Sequence, residues 1–390
     1  MRPNFENTAI AFELKSDSQL ERAYFLFKLI SKEPLVRIGT AVTNFAIKAH
    51  LPVEGLIRAT VFDHFCGGVN EKDCLPIIDN MYGNGVYSIL DYSAEGKSVD
   101  NQFDFAMEKT LEILDFVKEK DAMPFAVFKP TGFGRFKLFE KVSQGSELSE
   151  DEQAEWGRLV NRFDRVCQKA HQLDVALLID AEESWMQDAA DNLVLDMMRK
   201  YNKEKAIVYN TFQMYRWDRM GYIVKLHEMA KEEGFKIGAK VVRGAYMEKE
   251  NDRAEEKGYE SPICKNKRLT DENFDAAIDY MMEHLEDFSI FSGTHNEKST
   301  LKLVDLMEER GIESNDGRIW FGQLFGMSDH ITYNLAAQGY NAVKYVPYGP
   351  VRDIMPYLIR RAEENTSVAG QTSRELALIE KERKRRKLED

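Results

Sequence analysis

Apolar and polar positions follow two rhythms along the chain. Up to residue 84 the rhythm is helical. Leu20, Ala23, Tyr24 and Phe27 recur at spacings of three and four and share one helical face. Ser18 followed by Glu21 predicts a capping box at the start of that helix. Pro34 ends it, a second helix is expected over about residues 41–50, and a third begins after Pro52. No strand alternation occurs there, so residues 1–84 read as a helical subdomain. From Val86 the rhythm changes to short β-rich apolar runs, each followed by a helix-period segment. They are VYSILDY (86–92), FAVFKP (125–130), VALLIDAE (175–182), AIVYNTFQ (206–213), KIGAKVVRGAY (236–246), FSIFSGTHN (288–296), RIWFGQLFGM (318–327) and AVKYVPYG (342–349).

These runs are close to continuously apolar, as parallel strands covered on both faces are. Ser149 with Glu152 caps one intervening helix, and Gly234, Gly311 and Gly339 stop others. Eight strand–helix units predict a TIM-like (β/α)8 barrel over 85–370, a fold of about 250 residues in its usual form. A doubly wound open sheet is the alternative, but no strand here leads into a GxGxxG turn. Residues 371–390 read as a separate basic tail.

Composition narrows the function. The chain has 390 residues, is 43% hydrophobic and carries a net charge of −13. That provides a large core and argues against a nucleic-acid partner, which favours basic chains. No apolar run is long enough to span a bilayer, and the N-terminus lacks a secretory pattern. Glu6 and Glu13 argue against an uncleaved, acid-poor transit peptide. Cys66, Cys74, Cys167 and Cys264 form no CxxC pair and read as reduced thiols. No His or Cys spacing suggests zinc, so no metal is expected.

Barrel chemistry sits at the C-terminal ends of the strands. Lys129 there reads as a Schiff-base nucleophile, a fixed cation for an anionic substrate, or a lysine reaching to solvent. Asp180 and Glu182 share a strand face, a pairing suited to acid–base work or to Mg²⁺. Glu183 reads as a cap of the following helix. Lys240 and Gly244 share a face with Arg243 nearby, and Gly244 lets a flat ring or a phosphate approach the backbone. Thr294, His295 and Asn296 form a polar turn suited to ligand oxygens or ring heteroatoms. In PVRDIMPYLIRRAEEN, Tyr357, Arg360, Arg361 and Glu364 fall on one helical face. Two arginines present planar forks for a carboxylate, with Glu364 set to align one of them. This helix directly follows Tyr345 at the eighth strand end, so it is expected over the barrel mouth.

With those residues in hand, the chain resembles the proline dehydrogenase family. DAEES (180–184), VYNTFQ (208–213), AKVVRGAY (239–246), GTHN (293–296), GQLFGM (322–327), KYVPYG (344–349) and YLIRRAEEN (357–365) occur in family order. NTAIAF, PLV, HF–GG and KPTGFGRF are similar to segments of the mitochondrial eukaryotic members. The resemblance implies a distorted barrel holding non-covalent FAD, and oxidation of L-proline to Δ1-pyrroline-5-carboxylate with a membrane quinone as acceptor. It implies a monofunctional enzyme. Arg360, Arg361 and Lys129 would bind the proline carboxylate, positioned by Asp180. Tyr345, Leu324, Tyr246 and Tyr357 would line the substrate pocket. Ala181, Asn210, Gln213, Lys240, Arg243, Gly244, Ala245, Thr294, His295 and Asn296 would contact FAD. Asp180, Lys240 and Tyr345 would serve catalysis. Bacterial relatives resemble this chain less at two positions, with Arg in place of Lys240 and Gln in place of Asn210. Lysine keeps the cation but loses the fork.

Hydroxyproline-oxidising relatives are similar, with a smaller residue in place of Tyr345, so proline is the expected substrate. Rival readings are a Schiff-base lyase or aldolase using Lys129, and a barrel that binds a carboxylate without turning it over. The basic tail reads as a solvated helix end or as a contact to anionic lipid. A bacterial cytoplasmic location, peripheral on the inner membrane face, is expected, with the mitochondrial matrix or inner membrane as the alternative.

Overall fold

A computed structural model describes residues 2–32, 34, 54–92, 100–367 and 371–388. Eight strands are present: β1 (Val86–Tyr92), β2 (Phe125–Phe128), β3 (Ala176–Ile179), β4 (Val208–Gln213), β5 (Ile237–Val242), β6 (Phe288–Gly293), β7 (Ile319–Leu324) and β8 (Ala342–Tyr348). They form one sheet in the order β1-β8-β7-β6-β5-β4-β3-β2. The recorded ladders are all parallel. A helix follows every strand, which is the (β/α)8 pattern. The strands stop short of the apolar runs that announce them: β3 ends at Ile179 and β5 at Val242. The polar residues at the ends of those runs, Asp180 and Arg243 among them, therefore stand on connecting loops.

The chain divides into two compact units, residues 96–322 and residues 1–95 with 323–390. In the first, Phe125 packs edge-to-face on Tyr209, Phe291 and Trp320, with centroids 5.7, 5.4 and 5.1 Å away. Each such pair contributes about 0.5–1.5 kcal/mol beyond its buried area. Phe291 pairs with Lys240 in the ladder, so this apolar layer lies beside the polar strand ends. The helix Glu150–Leu173 opens on the expected Ser149–Glu152 capping box. Gly234, at φ 66°, closes the helix Arg219–Glu233.

In the second unit β1 pairs with β8 from Val86↔Ala342 to Tyr92↔Tyr348. The helix Asp17–Ile30 is capped by Ser16 and Gln19, not by Ser18 and Glu21. Both S-x-x-[QE] frames occur in SDSQLE; the earlier one carries the cap while Leu20, Ala23 and Phe27 are buried. The helix expected over 41–50 lies outside the described residues. The one after Pro52 starts at Glu54 and passes through a π-helical turn at Arg58–Phe62.

Residues 371–386 form a helix, and Leu378 and Ile379 bury against Phe12, Leu20, Ala23 and Phe27. Several of its basic groups are paired within the unit. Arg383 meets Glu21 at 2.6 Å and stacks on Tyr24, Lys381 meets Glu6 at 3.0 Å, and Arg386 meets Asp17 at 3.0 Å. The tail is thus a docked helix and not a solvated end.

Candidate functional site

The chemistry of the 96–322 unit gathers on the neighbouring strands β2, β3, β4 and β5. Lys129 follows β2, Asp180 follows β3, and Lys240 sits within β5. The Asp180 amide donates to Phe128 O at 3.0 Å, which holds one loop against the next strand. Lys240 Nζ lies 2.6 Å from Asp180 Oδ1, and Lys129 Nζ lies 3.5 Å from Oδ2. Burial raises the Asp180 carboxyl, but the two ammonium groups outweigh it and hold the group below the usual carboxylate range. Asp180 is therefore ionised at neutral pH.

Glu182 does not share this cluster's carboxylate role. Its oxygens accept from Thr131 N at 2.9 Å and Thr131 Oγ1 at 2.7 Å, and its own amide donates to Gln187 Oε1. Burial pushes its carboxyl up to about 7, against the pull of the Thr131 hydrogen bonds. Glu182 thus ties the loop carrying Lys129 to the loop carrying Asp180. Glu183 takes the N-cap position of the next helix, but its side chain makes no capping hydrogen bond and instead receives Lys249 at 2.9 Å. The start of that helix is satisfied by Glu250, which accepts from Ser184 N at 2.6 Å and Ser184 Oγ at 2.5 Å. Nothing in the local sequence marks Glu250, 66 residues further along, as the partner.

Arg243 reaches Thr294 Oγ1 at 2.7 Å, Ser299 Oγ at 2.9 Å and Asp271 at 2.8 Å. Thr294 Oγ1 also accepts the Asn296 amide, so the RGAY and GTHN turns are joined through one hydroxyl. Asn296 caps the helix that follows. His295, Ala245 and Ala181 lie on these same strand-end loops. Asn210 is not brought to the Lys240 cluster. Its amide donates to Asp191 Oδ1 at 3.0 Å, and Asp191 is held by Arg219 at 2.6 Å. Gln213, three residues on, lies on the opposite strand face. Its Oε1 is buried without a hydrogen-bond partner. Gly244 has φ 125°, and a Cβ there would stand 2.5 Å from the Tyr215 ring. Among the described residues no cluster of His, Cys, Asp and Glu is arranged to hold a metal.

The other unit carries the second group. The helix Val351–Ser367 buries Ile354, Met355, Tyr357 and Leu358 with Phe62, Phe65 and Met327, and Leu324 packs against them. Arg361 is only 7% exposed, and its guanidinium lies 5.1 Å from the Tyr357 ring centre. Arg360, beside it, is half-buried. The Glu364 side chain lies outside the described residues. Tyr345 on β8 is buried, and its carbonyl accepts the Phe325 amide at 2.8 Å. Tyr345 and the connector after β7 are thereby joined.

Comparison with known proteins follows the same lines. The family model described as "Proline dehydrogenase" matches residues 74–374. The carbapenem antibiotics biosynthesis protein CarD of Pectobacterium carotovorum is 36% identical over 90% of this chain and 91% of its own. Mitochondrial proline dehydrogenase 1 of Dictyostelium discoideum is 30% identical over 97% of this chain and 74% of its own. The human enzyme of that name is 40% identical over 60% of this chain and 40% of its own. Among solved structures, proline utilization A from Bdellovibrio bacteriovorus superposes with a TM-score of 0.68 at 18% identity, over 92% of this chain and 38% of that one. The last of these shows the shared fold, and the family match and the relatives decide membership: the chain belongs to the proline dehydrogenase family.

Proposed function

We propose that this protein oxidises L-proline to Δ1-pyrroline-5-carboxylate with bound FAD and passes the electrons to a membrane quinone. The observation that carries the reading is the Lys129–Asp180–Lys240 cluster gathered from β2, β3 and β5, in a chain of this family.

The residues fit the cofactor. Gln213 Oε1 is a buried acceptor that a ring N–H would satisfy. Lys240 and Arg243 supply positive charge for a ring that becomes anionic and for phosphates. Thr294, His295, Asn296, Ala181 and Ala245 complete the candidate contacts. Asn210 acts on the group only through Asp191 and the strand it supports. When bound, FAD supplies the acceptor, its N5 taking the hydride from ring C5 of proline.

The chain's own residues place and prepare the substrate. Arg360 and Arg361 hold the proline carboxylate with planar forks, and Lys129 adds a point charge. Fixing the carboxylate fixes the direction of the ring, which is most of what a two-point orientation needs. Asp180 holds Lys129 and Lys240 in place, one on each carboxylate oxygen. The same cations disfavour a protonated substrate amine and lower its pKa toward working pH. Tyr345 and Leu324 form apolar walls for the ring, and Tyr357 supports Arg361.

Lys129 as a Schiff-base nucleophile is poorly supported, because its Nζ is paired with Asp180 at 3.5 Å. A hydroxyproline dehydrogenase of Xenopus laevis is 28% identical over 95% of this chain. The bulk of Tyr345 favours the unsubstituted ring. Among the described residues no helix is long and apolar enough to cross a membrane, so contact with the quinone pool is peripheral in this reading. A bacterial inner membrane face and the mitochondrial inner membrane are both compatible with it.

The test is turnover with an artificial electron acceptor, using L-proline and hydroxyproline side by side. Reduction driven by L-proline, with no borohydride-trapped adduct on Lys129, supports the reading. Proline binding without acceptor reduction overturns it.

A further inference from the structure

Lys344 precedes Tyr345 on β8, and the pleat sends its side chain to the opposite face. That side chain is 1% exposed. Its ammonium lies 2.8 Å from Asp329 Oδ1 and donates to the carbonyls of Leu324, at 3.4 Å, and Met327. An ammonium has three donors; two of them serve carbonyls of the connector at the end of β7 and the third faces Asp329, which directly follows it. Asp329 is itself held by Lys15 through its second oxygen at 3.0 Å.

The rest of the connector is held as tightly. Phe325 N donates to Tyr345 O at 2.8 Å, and Ser328 N donates to Glu375 at 3.2 Å. His64 Nε2 lies 2.9 Å from Gly326 O. Burial lowers the His64 pKa to about 3, so the ring is neutral and donates through Nε2. Gly326 has φ 78°, and a Cβ there would stand 2.2 Å from His64 O. Each of the five residues from Leu324 to Ser328 therefore has a main-chain atom fixed from outside the connector. The anchors lie far apart in sequence, from Lys15 to Glu375.

We propose that Lys344 is a positioning residue for substrate ring selectivity, setting the Leu324 main chain against Tyr345 from the far side of the strand. The inference rests on the reading of Leu324 and Tyr345 as walls of the proline pocket. Lys344 touches no substrate; it acts by fixing where one wall stands relative to the other.

The experiment measures kcat and KM of the flavin-loaded holoenzyme with L-proline and its four- and six-membered ring homologues, L-azetidine-2-carboxylate and L-pipecolate. Wild type, Lys344→Met and Asp329→Asn are compared, with flavin content and Tm alongside. Lys344→Met keeps the aliphatic stem and leaves Asp329 its Lys15 partner. It is expected to retain flavin and to lose about ten- to a hundredfold in kcat/KM for L-proline, as misplaced positioning groups do. Discrimination against the six-membered ring should fall by roughly tenfold, the scale of one methylene in a pocket. Asp329→Asn should shift the same ratio in the same direction by a smaller factor. A folded Lys344→Met enzyme whose three substrates all decline equally, or not at all, overturns the inference. If Lys344→Met does not fold, an unchanged ratio in Asp329→Asn overturns it. A wild type that oxidises none of the three compounds overturns the proposed function itself.

Discussion

Lys240 and Asp180 meet at 2.6 Å across 60 residues of sequence, the lysine side chain 8% exposed and the aspartate 16%. Breaking a buried pair by removing one partner costs about 3–5 kcal/mol, because the other charge is left behind. Asp180→Asn leaves two ammonium groups facing a neutral amide. It is expected to lower Tm at neutral pH and to reduce kcat/KM for L-proline at least ~100-fold. The folded carboxyl sits below its ordinary value, so its stabilisation is complete above the unfolded pKa near 3.8 and fades as pH falls through the lowered folded value. The wild-type pH–rate profile should accordingly show no limb from Asp180 above that pH. Thermal denaturation and steady-state kinetics of both proteins check this.

Glu182 titrates in the opposite sense. Burial lifts its folded pKa to about 7, above the ordinary 4.5. Its contribution to stability is full below the unfolded value and is lost as pH rises through the folded one. Glu182→Gln keeps an acceptor for Thr131 N and removes the charge. The variant should match wild type at acid pH and be the more stable of the two above pH 7. Tm measured across that range decides it; parallel curves would contradict the assignment.

Arg361 is buried against Tyr357, and Arg360 stands beside it. A hydrogen bond to a charged group contributes about 1.5–3 kcal/mol, or roughly ten- to a hundredfold in binding. Arg360→Ala and Arg361→Ala should each raise KM for L-proline by about that factor while flavin content stays near normal. Loss of flavin with unchanged KM would move both arginines out of the substrate site.

With Tyr345 as the proposed wall of the proline pocket, Tyr345→Ser should open space beside the substrate ring. The ratio of hydroxyproline to proline turnover should rise by about tenfold, the usual scale for relieving one pocket clash. An unchanged ratio removes Tyr345 from the pocket wall.

Strand positions were legible because buried parallel strands are written as short apolar runs, and all eight runs correspond to strands. Lys129, Asp180 and Lys240 stood out for the same reason: each is a charge in or just past such a run. Asn210 and Gln213 show the limit. They sit three apart on one short strand and differ in which face they occupy, a matter of register that composition does not state. The capping box was misplaced by two residues because overlapping frames satisfy the same rule. The anchors of the β7 connector were not legible at all. Lys15, His64 and Glu375 look like ordinary surface types, Lys344 is a charge inside the eighth run whose partners the sequence does not name, and only the folded chain brings them together. The docking of the last helix was hidden likewise, since Leu378 and Ile379 are few among many charges.

The central claim is that this barrel holds a flavin reducible by proline. Its most direct test is the visible spectrum of the purified, flavin-loaded protein during anaerobic titration with L-proline. The oxidised-flavin absorbance is expected to bleach in proportion to added L-proline and to return with a quinone acceptor. A protein that takes up no FAD, or whose bound flavin keeps its full absorbance in excess L-proline, contradicts it.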